Sequence, residues 1–406
     1  MVAFRLSVAQ HALLSCAHSG SIHKFMSLPL AGITVVSLEQ AIAAPLASRH
    51  LADWGARVIK VERPDGGDFA RSYDAVMNGL SSQFLWANRS KESVALDLKS
   101  EQGRSSLEAL LAGADVFVQN LAPGAAARMG LDAAAVHARC PGIVACDLSG
   151  YGSGGPYSEK KAYDLLVQCE SGFVSTNGTR DAAAKCGLAI VDISGAMALL
   201  QGILMGLLRR ARTGEGMRFE TSLFDAISEW MSYPAYYAAG TGAGPARSGL
   251  HHATIAPYGP FRTSDGKSVF LAVQNQREWK SFCDVVMGQP ALAMDPRFAS
   301  NPQRLQNRSE LEQLIADRFG AMQQHEALAV LDAGGIANAR LNSVAEFLSH
   351  PQIVARQRTR EVRSQFGPQQ VLMPSITIDG CSPVMGAVPA VGEHNVVIEQ
   401  ELAARP

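Results

Sequence analysis

From Leu28 onward, short apolar, β-branched runs alternate with longer stretches whose apolar residues recur at helical spacing. "GITVVSLE" (32–39), "RVIKVE" (57–62), "SVALDL" (93–98), "DVFVQN" (115–120) and "GIVACDL" (142–148) read as strands. Between them, "APLASRHLADWG" reads as a helix closed by Gly55, "SEQGRSSLEALLAGA" as a helix opened by Ser100, and a short helix is expected near 124–129. Strands separated by helices predict βαβ units and an α/β domain built on a doubly wound, mostly parallel sheet. Leu188 to Val191 read as a short buried strand. From Ala196 to Arg212 the pattern predicts a helix that Leu199, Leu200, Ile203, Leu204, Leu207 and Leu208 bury on most sides.

The texture changes after "AYYAAGTGAGPARSG" (235–249), which reads as a linker or mobile loop. "YGPFRTSDGKSVFLAVQ" then reads as a hairpin turning at Asp265-Gly266, with helical segments at 277–287, 309–319 and 324–333. The organisation expected is an extension over 1–25, a large α/β domain over 26–225, a linker over 226–250, a small α+β domain over 251–335 and a return segment over 336–406. That last segment contains the extended, Pro-rich "MPSITIDGCSPVMGAVPAVGEHN" and is expected to pack back on the large domain. Residues 1–25 carry no acidic residue, a trait shared with organellar presequences. With one Arg and one Lys, a disordered extension is the preferred reading.

The 47% hydrophobic and 18% charged content is that of a globular protein. Lys+Arg 36 against Asp+Glu 37 leaves a net charge of -1, so no basic field favours nucleic acid or a membrane surface. No uninterrupted apolar run has the length of a membrane span. Seven cysteines without a C-x-x-C pair suit free thiols in a reducing cytoplasm. The ten histidines are scattered, the adjacent pair His251-His252 cannot easily share one ion, and no metal is expected.

Ligands of an open parallel sheet sit at the carboxyl ends of its strands. Arg63, Lys99, Asn120, Arg128 and Lys161 all fall there, and four cations near a Gly-rich edge suit a ligand with several phosphates. "GYGSGG" (150–155) fits G-x-G-x-x-G, but Pro156 and Tyr157 follow where a helix should, so it reads as a tight loop and a nicotinamide oxidoreductase is not favoured. Asp192, alone in an apolar run, is costly unless paired or used. It is either a helix cap or a nucleophile, and the two roles are compatible. Backbone N–H groups near Ser194–Ala196 are expected to hold its anion.

"LADWGARVIKVERPDGGD", "NRSKESVALDLKSEQG", "VQNLAPGAAARMGL", "LSGYGSGGPYSEKKAYDLLVQCESG" and "VDISGAMALLQGILMGLLRRARTGEGMRFETSLFDA" together resemble the class III CoA-transferase family. Its relatives include formyl-CoA and carnitine CoA-transferases and α-methylacyl-CoA racemase. The resemblance runs from about Leu28 to the end of the chain. It implies that Asp192 attacks an acyl-CoA thioester to form an aspartyl mixed anhydride. It further implies that Arg63, Leu96, Lys99, Asn120, Leu121, Arg128, Met129 and Lys161 line a coenzyme A site. An interlocked homodimer is implied too, with Ile42, Tyr163, Arg247, His252 and Tyr258 near the acyl group. Coenzyme A enters as substrate, and no tightly bound cofactor is expected. The substrates expected are a dicarboxylic acyl-CoA such as succinyl-CoA and a free carboxylic acid, whose carboxylate Arg247, His251, His252 or Arg262 could meet. Tyr163 replaces the His of the racemase branch and Arg262 stands near its Glu, which disfavours 2-methylacyl-CoA racemisation. A non-catalytic CoA-binding protein is the remaining alternative, and the retained Asp192 argues against it.

Overall fold

Thr34–Leu38, Arg57–Glu62, Glu92–Ala95, Val116–Gln119 and Val144–Ser149 (β1 to β5) form strands in the computed structural model, which describes residues 28–405. The expected 1–25 extension lies outside the described residues. Val35, Val36, Val58, Ile59, Val116, Phe117, Val144 and Ala145 are buried, because helices cover both faces of the sheet. A sixth strand, Met217–Ser222 (β6), goes beyond the five expected. It lies at the sheet edge, where Arg218 and Glu220 alternate with apolar neighbours, so its pattern lacks the apolar run of the inner strands. All six strands are parallel, in the order β3-β2-β1-β4-β5-β6. The direction of winding reverses between β1 and β4, which opens a crevice at their carboxyl ends.

Helix α1 (Ala43–Asp53) packs against one face. On the other, α2 (Glu101–Ala112) starts where Ser100 accepts the Gly103 N–H at 3.0 Å. Helix α3 (Asp164–Glu170) follows β5 and its loop, and α4 (Ile190–Thr213) packs on α1, β5 and β6. Two glycines let α4 lie close to the sheet. A Cβ on Gly202 would stand 2.3 Å from the Phe219 ring, and one on Gly206 would stand 2.6 Å from Val144.

Two expectations about this region are corrected. Leu188–Val191 is not a strand: Leu188 is 65% exposed and α4 already begins at Ile190. Burial of α4 is one-sided, with Leu199 and Ile203 in the core but Leu204, Met205 and Leu208 exposed. At 24 residues α4 is also long and apolar enough to cross a membrane. Packing of its small-residue face against the sheet explains that composition instead.

The expected linker over 226–250 is largely helical, with helices Leu223–Trp230 and Ser232–Thr241, because its alanines and tyrosines outweigh its glycines up to Gly242. The smaller α+β unit has an antiparallel sheet of Tyr258–Arg262, Ser268–Ala272 and Ala337–Arg340 (β7 to β9) in the order β7-β8-β9. Its third strand extends beyond the expected boundary at 335. Trp279, Phe282, Phe298 and Phe319 fill its core.

The chain then returns to the large domain. A hairpin of Thr359–Val362 and Gln369–Leu372 places Val362 and Val371 with Leu80 and Phe84. Helix α5 (Asn395–Ala403) sets Ile398 against Leu107, Leu110 and Leu111. Ala95 donates its N–H to Asn395 Oδ1 at 2.8 Å, and Arg57 joins Glu92 to Glu401 at 2.7 Å each.

Leu199→Ala removes a fully buried side chain between α4 and the sheet. It is expected to lower stability by about 2–5 kcal/mol, read from the urea midpoint at unchanged slope.

Candidate active site

Two cavities open at the crevice, and Gln40 and Leu121 line both. Asn120 pins the entrance: its Oδ1 accepts the Gln40 N–H at 2.8 Å and its Nδ2 donates to the Gln40 carbonyl at 2.9 Å. The first cavity, about 310 Å³, is lined by Arg63, Leu96, Lys99 and Met129 among others. The second, about 470 Å³, is lined by Phe69, Tyr73, Asn120, Lys160, Lys161, Tyr163 and Asp192.

Beneath both lies a cluster of buried charges. Lys60 donates to Asp68 at 2.8 Å and stands 3.6 Å from Glu39, while Lys91 donates to Glu39 at 2.6 Å. Burial opposes ionisation of Glu39, yet Lys91 and Lys60 pull its carboxyl below the ordinary range. Asp68 has a second task. Its Oδ1 accepts the N–H groups of Ala41 and Ala70 at 3.1 and 2.9 Å, so one carboxylate fixes both the loop after β1 and the segment carrying Phe69 and Tyr73.

Asp192 lies in the first turn of α4, where free N–H groups would be its natural partners. They are taken by Asp164, whose Oδ1 accepts from Val191 at 2.8 Å and from Asp192 at 3.2 Å. The expectation that amides near Ser194–Ala196 hold the Asp192 anion is therefore corrected. Those residues lie further into the helix, beyond the first-turn amides that Asp164 occupies. Among the described residues the Asp192 carboxylate accepts no hydrogen bond. Burial and the neighbouring Asp164 push it up to about 7. Burial, Asp68 and Asp192 push the Tyr73 phenol up to about 12, so it remains a donor.

The other residues singled out in the sequence divide clearly. Arg63, Leu96, Lys99, Leu121 and Met129 meet around the first cavity; Asn120, Lys161 and Tyr163 share the second with Asp192. Lys160 is paired with Glu170, whereas Arg63, Lys99, Arg128 and Lys161 form no ion pair among the described residues. Arg128 lines neither cavity: it folds back over Gly124, where an added Cβ would be 2.8 Å from its Nη1.

Ile42 is buried ahead of α1 and lines neither cavity, because its flanking residues Ala41 and Ala43 face the Asp192 cavity instead. Arg247, His252 and Tyr258 do not line the cavities either. Arg247 donates to the Thr179 and Arg180 carbonyls, His252 stacks on Tyr258 at 5.1 Å, and His251 pairs with Glu312 at 3.0 Å. Arg262 is exposed on β7. Local partners therefore occupy most of the groups considered for the acyl carboxylate. Sequence reading missed Tyr73 and Asp164; the i, i+4 spacing of Asp164 and Gln168 ahead of the Asp192 run was the available clue. Among the described residues no three His, Cys, Asp or Glu side chains form a metal-binding group.

The fold defines an α/β protein whose crevice opens at a topological switch point, beside a half-buried carboxylate. Residues 30–395 match the model of CoA-transferase family III, and the chain belongs to that family. A succinate–glutarate CoA-transferase of Agrobacterium fabrum is 32% identical, with 92% of this chain and 96% of the relative covered. An acetyl-CoA:oxalate CoA-transferase of Acetobacter aceti is 32% identical, covering 81% and 84%. The crystal structure of a CAIB/BAIF family protein from Brucella suis superposes with a TM-score of 0.82 at 32% identity, covering 93% of this chain and all of that one. The protein is accordingly a class III acyl-CoA:carboxylate CoA-transferase, moving CoA between an acyl-CoA and a carboxylic acid.

The raised Asp192 value fixes the sign of a stability effect. The folded state holds this proton more tightly than the unfolded chain, so the contribution is most favourable below about pH 4. It is lost as pH rises through about 7. Asp192→Asn is expected to raise the urea midpoint at pH 8, with the gain vanishing towards pH 4.

Proposed function

We propose that Asp192 is the acyl acceptor of the transfer. One observation carries this reading. An unpartnered carboxylate faces the second cavity, which meets, at Gln40 and Leu121, the first cavity bearing the cations Arg63 and Lys99. The first cavity suits the phosphates of coenzyme A and the second the acyl thioester. Ionised Asp192 attacks the thioester carbonyl carbon, the C–S bond breaks, and CoA leaves as thiolate from an aspartyl mixed anhydride. The thiolate then attacks the aspartyl carbonyl, releasing the donor acid and leaving CoA on Asp192 as a thioester. The acceptor carboxylate attacks this thioester, and the freed thiolate takes the new acyl group from the second anhydride, restoring Asp192. The Tyr73 hydroxyl is a neutral donor in this cavity that can support a developing oxyanion.

The donor we infer is a dicarboxylic acyl-CoA, succinyl-CoA first among candidates. Relatives named for succinyl-CoA:glutarate and succinyl-CoA–D-citramalate transfer support that class. The exposed Leu204, Met205 and Leu208 of α4, with Tyr233 and Tyr236 of the helix Ser232–Thr241, offer an apolar face for a second copy of the chain.

Incubation with succinyl-CoA followed by hydroxylamine or borohydride trapping is expected to mark Asp192, located by mass spectrometry. Asp192→Ala should abolish the adduct and lower turnover by about 10³-fold or more; an adduct elsewhere, or none across an acyl-CoA panel, refutes the assignment. Arg63→Ala and Lys99→Ala should each raise KM for the CoA thioester by about ten-fold with a smaller effect on kcat.

A further inference from the structure

The residue that opens α3, not the helix carrying Asp192, supplies the fixed point of this site. Ala189, before the first turn of α4, has no side-chain acceptor. Asp164 reaches across from α3 to accept the Val191 and Asp192 N–H groups. Its Oδ2 accepts from Gln168 Nε2 at 2.6 Å, and Gln168 Oε1 accepts the Cys186 N–H at 3.0 Å. Gln168 is 1% exposed. Residues 186–192 are thus suspended from α3 at both ends by one Asp–Gln pair. Val167 and Val191, both fully buried, pack in the same core beside it.

We propose that Asp164 is a positioning residue for Asp192, holding its backbone while occupying the amides that would otherwise neutralise its carboxylate. The inference rests on Asp192 as acyl acceptor for its relevance to catalysis, but the geometry stands without it. A carboxylate satisfied by two helix N–H groups would be stable and a poor nucleophile. Asp164 prevents that state twice, by filling the donors and by placing a like charge alongside. The remaining titratable groups facing Asp192 are Tyr73 from the segment after the Asp68 turn, Tyr163 beside Asp164, and Lys160 and Lys161 from the loop after β5. Glu170 pairs with Lys160, and Asp68 is bound to Lys60. Asp164 is the anion in direct contact with the Asp192 backbone.

Asp164→Asn keeps an oxygen for the two N–H groups and removes the charge, but turns an N–H group towards the Gln168 amide. Combining Asp164→Asn with Gln168→Glu restores an acceptor for both the introduced side-chain amide and the Cys186 N–H. Asp192 would be titrated in the ligand-free proteins by ¹³C NMR of labelled aspartate carboxyls, with Asp192→Asn to assign the signal. The midpoint, about 7 in the parent, is expected to fall by about one pH unit or more in Asp164→Asn and by less in the double variant. The acidic limb of kcat/KM should follow it. At high pH, where Asp192 is ionised throughout, kcat should drop about ten-fold in Asp164→Asn and recover in the double variant. An unchanged midpoint in both variants overturns the proposal even if the Asp192 adduct forms. An absent adduct with a shifted midpoint refutes the acyl-acceptor assignment and leaves the positioning role standing. Should Asp164→Asn not fold, the double variant alone decides by the same midpoint.

Discussion

The start of a helix can satisfy one nearby anion well, and two carboxylates compete for it at α4. Asp164 takes the first-turn amides, and Asp192 projects into the cavity without them. The outcome is a large electrostatic asymmetry between chemically identical groups. One carboxylate commits its hydrogen-bonding capacity to backbone. The other, deprived of donors and partly desolvated, keeps its lone pairs unengaged. Stability is sacrificed at Asp192, and the buried contacts of α4 with α1 and the sheet must compensate.

That compensation requires a rigid frame, which the charges under the strand ends provide. Glu39, Lys60, Asp68 and Lys91 are buried in a region where any one of them alone would be prohibitive. Apolar residues could be as stable there. Only the ionic arrangement ties β1, β2, the loop at Ala41 and the segment of Phe69–Tyr73 to shared atoms, however, so both cavities inherit their walls from one network.

Much of this was legible in the sequence where physics acts locally. The four inner strands are apolar-rich runs, Ser100 is a cap in front of a helix, and strand-end cations gather where a doubly wound sheet must place them. The α4 start was misread because Leu188–Val191 has β-branched and apolar character, while the acceptor that lets the helix begin at Ile190 sits on Asp164, far away in the chain. β6 was hidden by its edge position, which permits alternating polar residues. Arg247, His251 and His252 looked free in the sequence because nothing there shows that the Thr179 and Arg180 carbonyls and Glu312 would occupy or pair two of them. Long-range polar pairing leaves no periodic trace.

The return of α5 to β3 has a consequence for how the molecule comes into being. Ser93 and Ala95, at one edge of the central sheet, complete their backbone bonding only with His394 and Asn395. Roughly the whole of the small unit is synthesised between those partners. During translation, the large domain must wait with an open apolar seam at Leu107, Leu110 and Leu111 until residues near Ile398 emerge from the ribosome. The smaller unit, whose strands and helices are contiguous from Tyr258 to Arg340, can finish folding first. Order of assembly is thereby the reverse of order in sequence: the half that carries Asp192 is closed last, by its most distant residues.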